Sequence, residues 1–161
     1  MPEKLSTLYT RIKNKSTILP NQSGRGGAFM VKTTIAVAGT EAAGDTFRLF
    51  SVPASGIPGF AGVLNTAVTG ATDCDLGIFE LGENGTVLDK DVLIDGISLA
   101  VAAVSTVRNV PVLVADSEKN FWQLAGKTGD PVGELDVCWT FNAAPTASGT
   151  IVTTLFFNMN N

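Results

Sequence analysis

From Ala28 onward, apolar and polar residues alternate with a period near two, the period of a strand that buries one face. "AFMVKTTIAV" (28–37), "TFRLFSV" (46–52), "AGVLNTAV" (61–68), "TVLDKDVLI" (86–94), "VPVLV" (110–114), "ELDVCWTF" (134–141) and "GTIVTTLFF" (149–157) each predict a strand, and β-branched residues recur in most of them. Between them lie turn signals: "GTEAAGD" (39–45), "PASGIPGF" (53–60), "TGATD" (69–73) and "GDPVG" (129–133). Asn84-Gly85 predicts a type I′ hairpin turn. "SEKNFWQLAG" (117–126) has room for one helical turn, and "ISLAVAAV" (97–104) fits either core or an inter-subunit face. Seven or eight strands about ten residues apart predict an all-β, antiparallel β-sandwich or barrel.

Residues 1–27 follow another pattern. Leu5, Leu8, Tyr9 and Ile12 fall at helical spacing, with Pro2 and Pro20 as bounds, and "PNQSGRGG" (20–27) reads as a linker. The sequence therefore divides into an N-terminal arm, extended or partly helical, over 1–27 and a β-sandwich domain over 28–161. Charge divides nearly the same way. Residues 1–32 hold six bases against one acid, a net +5, and residues 33–161 hold five bases against fourteen acids, a net −9. A basic arm on an acidic body is a layout for interaction with a partner.

Composition removes most chemistry. The chain has no histidine, which excludes Ser–His–Asp and Cys–His catalysis and His-ligated zinc. Two cysteines, Cys74 and Cys138, are too few for a disulfide scaffold, and alternation puts Cys74 on the apolar face of its strand and Cys138 on the polar face of its own. Two free thiols are expected. No secretory leader and no membrane-length apolar run is visible, so a soluble protein made in a cytoplasm is expected.

The densest titratable stretch is "TDCDLGIFE" (72–80). Strand geometry puts Cys74, Leu76 and Ile78 on one face and Asp75, Gly77 and Phe79 on the other. In "ELDVCWTF" it turns Leu135, Val137, Trp139 and Phe141 inward and Asp136, Cys138 and Thr140 outward. The expectation is half-buried strands showing their acids to water, with no carboxylate buried. "DKDVLIDG" (89–96) lacks the spacing of an EF-hand loop, and "AGKTGD" (125–130) lacks the first glycine of a phosphate loop because Phe121 stands there. No catalytic residue, cofactor or metal is assigned. An acidic body without aromatics on a basic strand face argues against a nucleic-acid partner, and no membrane partner is expected.

"EAAGDTFRLFSVPAS" (41–55), "LNTAVTGATDCDLGIFE" (64–80) and "FWQLAGKTGDPVGELDVCWTFNAAPTASGTIVTTLFF" (121–157) resemble the small decoration, or cement, proteins of tailed-bacteriophage heads. Cys74 and Leu135 depart from the family pattern, which has an aromatic at each. The resemblance implies a jelly-roll-like β-sandwich and a non-enzymatic virion protein. Such a protein binds the major capsid protein on the outer surface of an assembled head, usually as an oligomer, a homotrimer being the expectation here. In that role the arm would dock the protein, with Leu5, Leu8 and Ile12 as apolar anchors and Arg11, Lys13, Lys15 and Arg25 facing acidic capsid surface. Two other roles fit the same layout. One is a head-fibre base or tail adaptor. The other is a carbohydrate-binding sandwich for host attachment, for which Trp122, Phe60 and Phe79 are the candidate aromatic platforms.

Overall fold

The computed structural model describes residues 3–5, 28–110 and 113–159. The strands are β1 (Glu3–Leu5), β2 (Ala28–Val37), β3 (Thr46–Pro53), β4 (Gly56–Asn65), β5 (Cys74–Glu80), β6 (Val87–Ile97), β7 (Ala103–Asn109), β8 (Glu134–Phe141) and β9 (Gly149–Met159). A 3-10 turn (Val114–Asp116) and a one-turn helix, α1 (Phe121–Leu124), lie between β7 and β8.

Two sheets form. One has the order β1-β3-β8-β5-β6 and the other β2-β9-β4-β7. Outside β1 every pairing is antiparallel, and β2 pairs with β9, β3 with β8, β4 with β7 and β5 with β6. The chain is thus one long hairpin rolled up so that its first four sandwich strands meet its last four in reverse order. That is the jelly-roll arrangement.

The inward positions are those the alternation selects. Trp139, Leu76, Ile78, Phe141, Ile151 and Leu155 are fully buried between the sheets. The Trp139 indole N–H donates to Thr153 Oγ1 at 2.7 Å, one polar link across the apolar layer. A bulge between Arg48 and Phe50 lets Leu49 and Phe50 both be buried.

Several expectations need correction. Residues 56–60 belong to β4 rather than to a loop; a bulge between Pro58 and Phe60 accommodates the proline, which has no N–H to give the ladder. The expected strand "VPVLV" is not one: Val110 and Leu113 lie outside regular structure and Val114 opens the 3-10 turn, while Pro111 and Val112 lie outside the described residues. In "ISLAVAAV", Ile97 and Leu99 are core, Val101 is exposed, and Ala103 opens β7. The β5–β6 hairpin is present, but its turn is not type I′. Asn84 and Gly82 have φ of 62° and 107°, and the Gly85 N–H closes onto Gly82 O at 3.0 Å. Of the arm, expected to be extended or partly helical, the described residues Glu3–Leu5 are extended, and the rest of the apolar stripe lies outside the described residues.

Candidate functional site

The arm's first described residues form the edge of the five-stranded sheet. β1 runs parallel to β3, with Glu3 opposite Thr46, Lys4 opposite Phe47 and Leu5 opposite Arg48. Among the residues expected to dock the protein, Leu5 is therefore placed on this edge. Leu8, Arg11, Ile12, Lys13, Lys15 and Arg25 lie outside the described residues, as does Tyr9.

Beside that edge the outer face of the sheet is covered, and this overturns the expectation of solvent-facing acids. Asp75, Asp136, Cys138 and Phe79 are 2% exposed or less. The physical reason is Gly77. The backbone of Asp89 and Lys90 in β6 crosses so closely over it that a β-carbon there would collide with both, and the β5–β6 hairpin lies over the face that alternation leaves open. Burial then forces the polar groups to satisfy one another. Arg48 Nη1 donates to Asp136 Oδ2 at 2.7 Å and to Glu80 O at 2.9 Å, and Nη2 donates to Gly85 O at 2.9 Å. The bulge in β3 returns Ser51 to Arg48's face, and its hydroxyl donates to Asp136 Oδ1 at 2.6 Å. The Gly82 N–H donates to Asp136 Oδ2 at 3.0 Å. Arg48 also lies over the Phe79 ring, 5.6 Å from its centroid. The network clamps the hairpin tip to the sheet.

Asp75 of "TDCD" is structural in the same way, while Asp73 is exposed. Asp75 Oδ1 accepts the Gly96 N–H at 2.9 Å, and Oδ2 accepts Asn142 Nδ2 at 2.6 Å with Lys90 Nζ at 3.3 Å. Cys74 and Cys138 are buried thiols that form no disulfide. Burial, with Asp73 and Asp75 adding charge repulsion, pushes the Cys74 thiol up to about 12, so it is no nucleophile at neutral pH. Asp89, Asp91, Asp95 and Asp116 line a hollow of about 250 Å³. Desolvation and a hydrogen bond with Asp91 raise the Asp89 pKa. Among the described residues no group of three or more side chains could hold a metal ion.

An open cleft of about 490 Å³ separates the start of β3 from the hairpin, lined by Thr46, Arg48, Phe79, Val87, Lys90 and Asn142 among others. Thr46 and Arg48 are also register partners of β1, so Glu3–Leu5 lies along the rim of this cleft. The three aromatics considered for a sugar platform do not gather. Phe79 is buried under Arg48, Trp122 packs partly against the core from α1, and Phe60 faces outward on the other sheet, stacked on Phe156 at 4.0 Å. Among the described residues no helix is long and apolar enough to cross a membrane.

Sequence reasoning missed the Arg48–Asp136 pair, although it left a signal. Each is the one charge in the interior of its strand, and the two signs are opposite.

No family model matches the chain, and no curated protein does. Solved structures do. A chain of the Ralstonia phage GP4 capsid is similar with a TM-score of 0.72 at 17% identity, over 99% of this chain and 99% of that one. A chain of the cyanophage Pam1 capsid asymmetric unit is similar at 0.53 and 16% identity, over 89% of this chain and 93% of that one. The VP2 subviral particle of infectious bursal disease virus is similar at 0.51 and 10% identity, over 89% of this chain but 37% of that one. The fold is therefore that of two phage-capsid chains of about this chain's own size, and of one portion of a longer chain in an animal-virus particle.

Proposed function

We propose that the chain is a decoration protein: a non-enzymatic virion component that binds the outer surface of an assembled tailed-phage head through its basic arm and reinforces the shell. The observation that carries this reading is the end-to-end match to a phage-capsid chain, 99% of each. The matched phage-capsid chain is itself about this size, as a surface addition to a completed shell would be. The charge layout supports it. A +5 segment preceding a −9 body is a layout in which the arm binds acidic surface on the major capsid protein. Each exposed charge contributes little, so binding rests on their sum.

The test is co-sedimentation of the full-length protein with undecorated mature heads. Saturable binding at hundreds of copies per particle is expected from lattice symmetry. Reversing Arg11, Lys13 and Lys15 together to Glu should abolish it, and raising salt should weaken it. No binding by the wild type overturns the reading. Binding at about a dozen copies makes the protein an adaptor at a unique vertex instead.

A further inference from the structure

We propose that the outer face of the four-stranded sheet is a self-association surface, through which two copies of this chain pack face to face about a two-fold axis running along β9. The proposal does not depend on the capsid reading.

The face is built from three registered rows. Met30, Phe156 and Phe60 form one; Lys32, Thr154 and Gly62 the next; Thr34, Val152 and Leu64 the third. Met30 is 57% exposed, Phe60 37% and Leu64 44%. Among the outward positions of β2, β9 and β4, Lys32 is the one charge, on a body that carries fourteen acids from residue 33 onward. A largely apolar face without acids on an acidic body is where a second acidic body can approach without carboxylate repulsion.

The arrangement of the rows selects the occupant. In an isologous dimer the axis lies in the plane of the interface, and each patch must complement itself. An axis along β9 exchanges β2 with β4. Met30 then meets Phe60 of the second copy, Thr34 meets its Leu64, and Phe156 meets its counterpart. Lys32 falls on Gly62, where a glycine leaves a hollow for the lysine stem. A β-carbon on Gly62 would have only Thr154 Cβ nearby, at 3.8 Å. An axis across the strands would instead set Lys32 on Lys32. The strands of the two copies would run within about 30° of one another, as in aligned sheet packing. Three strands about 4.8 Å apart over some nine residues give a footprint of roughly 400 Å² per copy. That is about half of a standard interface, so the dimer is weak in free solution, with a Kd on the order of 0.1 mM. It gains wherever copies are held close together.

The experiment is sedimentation velocity on the full chain from about 10 μM to 1 mM. A concentration-dependent monomer–dimer equilibrium is expected, with Phe60→Glu monomeric throughout. Gly62→Asp should tighten the dimer several-fold at low salt by meeting Lys32 of the second copy. Gly62→Lys should weaken it comparably, and adding Lys32→Asp to Gly62→Lys should restore it. The open space at Gly62 lets this series carry the test even if Phe60→Glu fails to fold. A monomer at every concentration overturns the proposal, whether the face is then bare or covered by the chain's own residues 6–27. So does a dimer indifferent to the charges at 32 and 62. Loss of head binding by Phe60→Glu, with no self-association of the wild type, assigns the face to the shell and overturns it as well.

Discussion

Arg48 and Asp136, 88 residues apart in the chain, meet at 2.7 Å with side chains 2% and 0% exposed. The pair sits on what alternation marks as the wet face of the sheet, and it holds the β5–β6 hairpin across that face. Asp136→Ala strands a guanidinium in the interior and should cost about 3–5 kcal/mol. In a chain of 161 residues this corresponds to a melting temperature lower by roughly 10 °C. Chemical denaturation gives the free energy directly, and a loss below about 1 kcal/mol would show that the clamp is not a buried pair in solution.

Gly77 is the position the hairpin crosses, with the Asp89 and Lys90 backbone where a β-carbon would go. Gly77→Ala cannot be absorbed by a rotamer change and should destabilise by about 3 kcal/mol or more, or prevent folding. Gly62→Ala, which meets nothing closer than 3.8 Å, should change stability by less than about 1 kcal/mol. Equal effects in thermal unfolding would contradict the crossing.

Cys74 gives a pH dependence with a definite sign. Burial, then the charges of Asp73 and Asp75, raises its folded pKa to about 12, above its unfolded value. Its contribution is thus fully present below the unfolded thiol pKa of about 8.5, and is lost as pH rises towards the folded value, by up to about 1.4 kcal/mol per pH unit. Denaturation at pH 7 and pH 10 should show a larger fall for the wild type than for Cys74→Ala. An aromatic disulfide reagent should leave the native thiol unmodified at neutral pH.

Asp89 acts in the opposite sense to most surface carboxylates. Desolvation and the hydrogen bond with Asp91 raise its folded pKa. Stability linked to it is complete below the unfolded pKa and falls as pH rises through the folded one. Asp89→Asn should therefore raise the melting temperature at pH 7 and leave it unchanged near pH 3. A lower melting temperature at pH 7 would mean that the carboxylate makes a favourable contact.

Val132 has φ of 51° and is 89% exposed, a left-handed backbone that a β-branched residue resists. Val132→Asn should gain about 0.5–1 kcal/mol, read as a shift in denaturation midpoint. No gain would place the loop in another conformation in solution.

The sandwich and its inner face are legible in the sequence because burial on one face of a strand writes itself as alternation. Leu135, Val137, Trp139 and Phe141 are buried as that pattern requires. The same rule fails on the opposite face of the same strand, at Asp136 and Cys138, because alternation reports which residues share a face and not what lies across it. What covers it is a hairpin carrying charged residues, and that packing depends on a contact between β5 and the bulged middle of β6. Gly77, a glycine inside a strand, was its one local mark. The arm is less legible still. Its apolar spacing fits a helix, yet Glu3–Leu5 pairs as a strand, since a sheet edge satisfies three backbone residues whatever their side-chain period.

The pairing of β2 with β9 sets the order in which this protein can be made. β9 is an inner strand of its sheet, between β2 and β4, and of the described strands it is synthesised last. Until it is made, β2 and β4 present unpaired edges. The nascent chain cannot finish its core piecemeal, and folding must wait for β9 and proceed through distant contacts, the slow regime for such a topology. Copies made close together would pass through that open-edged interval side by side.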